Sequence, residues 1–136
     1  MALRADRSCQ NTLKLAEFLS NDPKVKKVNY PGLKSSRFYE ISLKLFPKLP
    51  GSILTFDLGS KAECFKFMNQ LKLVRRSTNL NDNKTLIIHP SSTIFTEFSE
   101  EQKVDMEVTS TLIRLSVGIE DFEDLKNDME KGLESL

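Results

Sequence analysis

One arginine is conspicuous for its surroundings. In TLIRLSVGIEDF, residues 111–122, Arg114 interrupts a run in which Leu112, Ile113, Leu115, Val117 and Ile119 are all apolar. On a strand, side chains alternate between faces, so Ile113, Leu115 and Val117 share one side while Leu112, Arg114 and Ser116 share the other. The first set reads as core, the second as a wall that meets solvent or a ligand. A guanidinium keeps its charge at any ordinary pH, and its planar fork fits a carboxylate through two parallel hydrogen bonds. Leaving such a group both desolvated and unpaired is costly, so it has an anion or water beside it. An exposed arginine on the outer face of a sheet, or one paired with Glu120 or Asp82, satisfies the same facts.

The other candidates are fewer. The loop TNLNDNKT, residues 78–85, carries Asn and Asp side chains that can either bind a ligand or hold the turn. His89 is the only histidine, which excludes a His-rich metal site, and Pro90 behind it favours an extended, structural position. Cys9 and Cys64 fit no metal or redox spacing and read as two reduced thiols of a cytoplasmic chain. Neither a GxxxxGK[ST] nor a GxGxxG phosphate cradle is present. Glu100, Glu101, Glu120, Asp121, Glu123 and Asp124 lie at expected helix starts, where the helix dipole favours negative charge.

The elements that must position these residues follow from apolar spacing and from breakers. Residues 3–20 read as an amphipathic helix with Cys9, Leu13, Ala16 and Leu19 or Ser20 near one face, stopped by Pro23. A short strand is expected over 24–30, a helix over 36–46, and a strand over the glycine-bounded 51–59. Ser60 and Glu63 predict a capping box, opening a helix to about Leu71 with Phe65, Met68 and Leu71 on one side. Residues 71–77 read as extended, 78–84 as a loop and 85–90 as a strand. Ser99 and Gln102 predict a second capping box and a short helix to Met106. Residues 111–119 form the last strand, and Asp121 caps a final helix bearing Phe122, Leu125, Met129 and Leu133. The order predicts an α+β fold, a two-layer α/β sandwich whose helices cover one face of a small, mainly antiparallel or mixed sheet.

Totals bound the partners. At 136 residues the chain makes one domain with a real core. Twenty basic and 19 acidic residues are interspersed, for a net charge of +1, so neither nucleic acid nor a membrane surface is expected as the main partner. No apolar run approaches the length of a membrane span, and MALRADRSCQ lacks the apolar core of a signal peptide.

Taken together, LIRLSVGIED, the upstream TLIIHPSST and the loop TNLND resemble the C-terminal domain of the Cys/Met-metabolism family of pyridoxal-phosphate (PLP) enzymes. VNYPGL and the start LRADRSCQNTLKLAEFLSNDPKV are similar to the segment that leads into that domain. The Asn79-Leu80 pair most resembles the O-acetylhomoserine sulfhydrylase branch, which replaces the acetoxy group at a γ-carbon by sulfide or a thiol. The resemblance implies that Arg114 grips the α-carboxylate of an amino-acid substrate and that Asn79 helps orient it. It implies PLP as cofactor, held by a lysine that none of Lys14, Lys61, Lys72 or Lys84 matches. Residues 1–20 would be the helix leading in and 21–136 the substrate-side domain, with the N-terminal PLP-binding domain absent. The expected partners are then an N-terminal PLP domain or a homologous subunit, and the isolated chain is expected to self-associate. Asn81 stands where the family usually has glycine, Phe95 where it often has histidine, and Thr109-Ser110-Thr111 in place of a Thr-Pro-Gly turn. Those departures leave room for a non-catalytic remnant or subunit-interaction module, or for a free-standing amino-acid sensor.

Overall fold

The computed structural model describes every residue, Met1–Leu136. The elements run α1 (Ala2–Ser20), β1 (Lys27–Asn29), α2 (Tyr39–Leu45), β2 (Ile53–Asp57), α3 (Lys61–Gln70), β3 (Arg75–Arg76), β4 (Leu86–Ile88), α4 (Glu100–Asp105), β5 (Leu112–Ser116) and α5 (Phe122–Glu134), with a 3-10 turn at Pro90–Ser92. This is the order read from the sequence. The strands form one sheet, β1-β2-β5-β4-β3, antiparallel except for the β3–β4 pair. It is an α+β fold with a mixed sheet. The two edge strands carry exposed cations, Lys27 on β1 and Arg75 and Arg76 on β3.

Strand alternation puts Leu54, Phe56, Ile87, Ile113 and Leu115 on one face of the sheet. There they meet Leu15, Ala16 and Leu19 of α1, Cys64 and Phe67 of α3, and Leu125, Met129 and Leu133 of α5. Each large apolar side chain fully buried in this layer contributes about 1.5–3 kcal/mol. By contrast, α2 buries only Ser42 and α4 only Lys103. The core therefore lies on one face, under three helices, and the Arg114 face is left to loops.

Several local expectations are corrected. On α3 the buried stripe is Cys64, Phe67 and Met68, whereas Phe65 is 39% exposed. Cysteine is among the most buried residue types, and counting Cys64 as apolar starts the stripe one residue earlier. Phe67 then reaches α5, where a Cβ on Gly132 would stand only 2.6 Å from its ring. The face of α1 includes buried Asn11, Thr12 and Leu15, with Leu13 only half-buried. Ser60 accepts from the Glu63 N–H, but the Glu63 carboxylate turns to the Ser60 hydroxyl, so that capping box is half formed. The one at Ser99 and Gln102 is complete.

The strands are shorter than their sequence spans. Asp22 draws the Lys24 and Val25 N–H groups into a turn, which delays β1. Asp128 accepts from the N–H groups of Lys72, Leu73 and Val74 at 2.9–3.0 Å, so only Arg75 and Arg76 of the expected extended segment pair.

Candidate functional site

β5 is the central strand, and Arg114 is flanked across it by Thr55 of β2 and Ile88 of β4. Alternation turns Arg114 and Ser116 to the face opposite the core, as expected. The loop of residues 77–85 crosses that face. Arg114 Nη2 donates to the Thr78 carbonyl at 2.9 Å, and the Asn81 N–H donates to the Ser116 hydroxyl at 2.8 Å. Residues two apart on a strand are about 7 Å apart. The loop is thus pinned at both ends of a short span, with exposed Asn79 between the pins.

The Nε on the other edge of the guanidinium is buried and unpaired. Arg114 Nε is the one buried side-chain nitrogen or oxygen in the chain without a hydrogen-bond partner. Burial pulls the Arg114 pKa below its ordinary value, although guanidinium remains a cation in proteins. Neither carboxylate considered as a partner reaches it. Glu120 accepts from the Thr85 N–H and hydroxyl at 2.6 and 2.9 Å, and Asp82 accepts from the Lys84 N–H at 3.0 Å. Nor does it simply project into bulk water, since the side chain is half-buried under the loop. A buried unsatisfied donor calls for a reason.

What holds the loop over this face was mostly hidden in the sequence. Asn81 sits at φ 56°, in the left-handed region that asparagine tolerates better than most residues, and its Oδ1 accepts from the Ser52 hydroxyl at 3.0 Å. At Gly118 a Cβ would press on the Asn83 carbonyl and lie 2.7 Å from Lys84 C, so only glycine admits the loop this closely. Gly118 N–H donates to the Thr85 hydroxyl at 2.9 Å, and buried Asn11 of α1 donates to the carbonyls of Gly118 and Glu120. Thr78 acts through its backbone, which leaves no trace in residue type. Asn11, Thr12 and Thr85 would be marked only by being polar at buried positions.

The remaining candidates are closed. His89 is 1% exposed; its Nε2 faces the Ser110 carbonyl at 2.8 Å and its Nδ1 the Ser92 hydroxyl at 2.7 Å. A carbonyl only accepts, so Nε2 carries the hydrogen and Nδ1 accepts from Ser92. Phe65 stands edge-on to the ring, 5.1 Å away. Cys64 and Cys9 are free and buried. Cys64 donates to the Thr111 carbonyl, and burial pushes its thiol up to about 11, far from an activated nucleophile. Cys9 is raised by burial as well. No three His, Cys, Asp or Glu side chains gather to hold a metal ion.

The departures at the turn and the aromatic position are absorbed by structure. Thr109 and Thr111 hydroxyls both donate to Asp57 Oδ1 at 2.8 Å, Ser110 supplies the carbonyl for His89, and Phe95 packs on Phe98 at 5.5 Å.

The family model for Cys/Met metabolism PLP-dependent enzymes matches residues 1–134. The chain belongs to that family. It is 40% identical over its whole length to the O-acetyl-L-homoserine sulfhydrylase of Corynebacterium glutamicum, of which it covers 31%. The O-acetylhomoserine sulfhydrylase structure from Wolinella succinogenes matches 98% of this chain at 47% identity with a TM-score of 0.85, over 35% of its own chain. An O-acetylhomoserine (thiol)-lyase structure from Campylobacter jejuni matches 98% at 34% identity with a TM-score of 0.94, over 32% of its own chain, and carries a pyridoxyl-lysine monophosphate. The chain therefore spans about a third of the length of these relatives. PLP is the cofactor at the level of the family. No helix is long and apolar enough to cross a membrane.

Proposed function

We propose that this chain is the substrate-side part of an O-acetylhomoserine sulfhydrylase-like enzyme of sulfur amino-acid metabolism, in which Arg114 clamps the α-carboxylate of the substrate. The single observation that carries the reading is the buried, unpartnered Nε beside a fixed Nη2. Nη2 has two N–H bonds and the Thr78 carbonyl takes one. The second, with Nε–H, would make an edge for two parallel charge-assisted bonds to a carboxylate once a small shift of the side chain or loop uncovers the Nε. Asn79, beside Thr78, offers a neutral amide to the same group.

Clamping one end of an amino acid fixes the direction of its remaining bonds, so this chain's contribution is positioning. The PLP of the complete enzyme supplies the electron sink for carbanion chemistry. No residue of this chain is assigned to the cofactor. In the overall reaction the γ-carbon–oxygen bond breaks, acetate leaves, and a carbon–sulfur bond forms to sulfide or a thiol.

The partner in this reading is the cofactor-binding part that the relatives' remaining length contains, or a homologous subunit that has one. Phe38, Ile41, Leu45 and Phe46 on and beside α2 are exposed, a strip suited to that contact and to self-association in its absence. Free thiols at Cys9 and Cys64 accord with a cytoplasmic setting.

The test is to combine the chain with the cofactor-binding part of a sulfhydrylase of this family, then follow cofactor absorbance and sulfide-dependent turnover of O-acetylhomoserine. Turnover that depends on Arg114 supports the reading. A soluble complex without turnover sinks it. Light scattering of the chain alone should report species larger than a monomer, and a clean monomer at high concentration removes the self-association part.

A further inference from the structure

We infer that Asn81 is a positioning residue, whose side chain hooks the loop of residues 77–85 to Ser52, just before β2, and so fixes the direction of the Arg114 guanidinium. The functional meaning of this hook rests on the clamp reading above, but the hook itself stands on geometry. Three attachments hold residues 78–81. The Thr78 carbonyl takes Arg114 Nη2, Ser116 takes the Asn81 N–H, and Ser52 donates to Asn81 Oδ1.

The first two run to β5, and both lie along one line of the loop. The loop's ends are held as well, since the Ser77 N–H donates to the Ile87 carbonyl and the Asn83 carbonyl accepts from the Ile119 N–H, but none of these contacts reaches β2. The third comes from Ser52, immediately before β2, and Ser52 is itself held because its carbonyl accepts from the Val117 N–H at 2.8 Å. It therefore ties the middle of the loop to a second strand and limits the lift of the Thr78 carbonyl on which the guanidinium rests. Only a side chain can make this third attachment. Glycine fits the same positive φ without cost but has no oxygen to offer and widens the loop's conformational freedom. Asparagine at position 81 thus trades a little backbone ease for a fixed loop.

The experiment is carried out on the full 136-residue chain by 15N relaxation at Arg114 Nε. Asn81→Gly and Ser52→Ala delete opposite ends of one hydrogen bond. The Gly variant can adopt the same positive φ, and the Ala variant, which leaves the backbone freedom at position 81 unchanged, separates the lost hydrogen bond from glycine's added freedom, so neither threatens the fold. Each should lower the Arg114 Nε order parameter clearly below that of the unsubstituted chain, into the flexible range below about 0.6. The double variant should go no lower than either single one, and Asn81→Asp, which retains the acceptor, should stay rigid. An unchanged order parameter in both single variants overturns the hook, as does a further, additive drop in the double variant.

A second arm uses the enzyme assembled with its cofactor-binding part. There Asn81→Gly should raise KM for the amino-acid substrate about three- to tenfold, the worth of one hydrogen bond, with kcat held. A lowered kcat with unchanged KM contradicts positioning by this hook. If Arg114→Lys leaves both constants unchanged, the clamp reading fails, while the relaxation result still decides the hook.

Discussion

His89 directly follows β4 and Arg114 lies on the neighbouring strand β5, and both carry nitrogens out of bulk water. At His89 each ring nitrogen meets a partner, Ser92 on one side and the Ser110 carbonyl on the other. At Arg114 one nitrogen is anchored to Thr78 and another is left bare. A buried polar group whose bonding capacity is filled stabilises the place where it sits. One left without a partner calls for a reason, and in the clamp reading that reason is a substrate carboxylate. Residue type alone suggests the reverse ranking, since histidine is the commoner catalytic side chain.

The comparison can be broken most sharply at the clamp. Arg114→Lys keeps the charge and loses the fork, so kcat/KM of the assembled enzyme should fall by about 100-fold while the melting temperature of the chain changes little. Equal losses of stability and activity would make Arg114 a structural residue like His89. Next, His89→Ala should destabilise the chain by about 2 kcal/mol in a denaturant titration, because the Ser110 carbonyl and Ser92 hydroxyl lose their partner. Its KM for substrate should not move in the assembled enzyme; a large KM change would place His89 in the site.

A smaller effect tests the closed side by pH. Cys64 has its pKa raised from 9.0 to about 11 by burial. Below pH 9 the thiol is protonated in both states and its contribution to stability is fully present. As pH rises from 9 to 11 the unfolded chain releases the proton first, and that contribution is lost. Wild type should lose stability over this window more steeply than Cys64→Ala; parallel curves would refute the burial effect. The smallest change is expected at Asn79, where Asn79→Ala should raise KM a few-fold, about 1 kcal/mol or less, against the far larger Arg114 effect. Parity between the two would shift the clamp from the guanidinium to the loop.

The face of Arg114 was legible because alternation is a local property, and so were the element order and the complete cap at Ser99. The loop's attachments were not. Thr78 contributes a carbonyl, which every residue has, and the contacts of Ser52, Thr85 and Asn11 join segments 29 to 109 residues apart. No window along the chain contains both partners. Phe65 illustrates a related limit: aromatic spacing points to its face, while the buried stripe starts at Cys64, a residue type that apolar patterns easily pass over. The possible partners Glu120 and Asp82 were chosen by charge, and both were already engaged by backbone N–H groups.

The sheet's margins carry one last consequence. Both outermost strands display like-signed side chains, Lys27 at one border and the Arg75–Arg76 pair at the other. Two copies meeting border to border would press cation on cation before any ladder could join them, which is a known guard against fibrous growth. Copies of this chain should accordingly resist joining edge to edge into cross-β order.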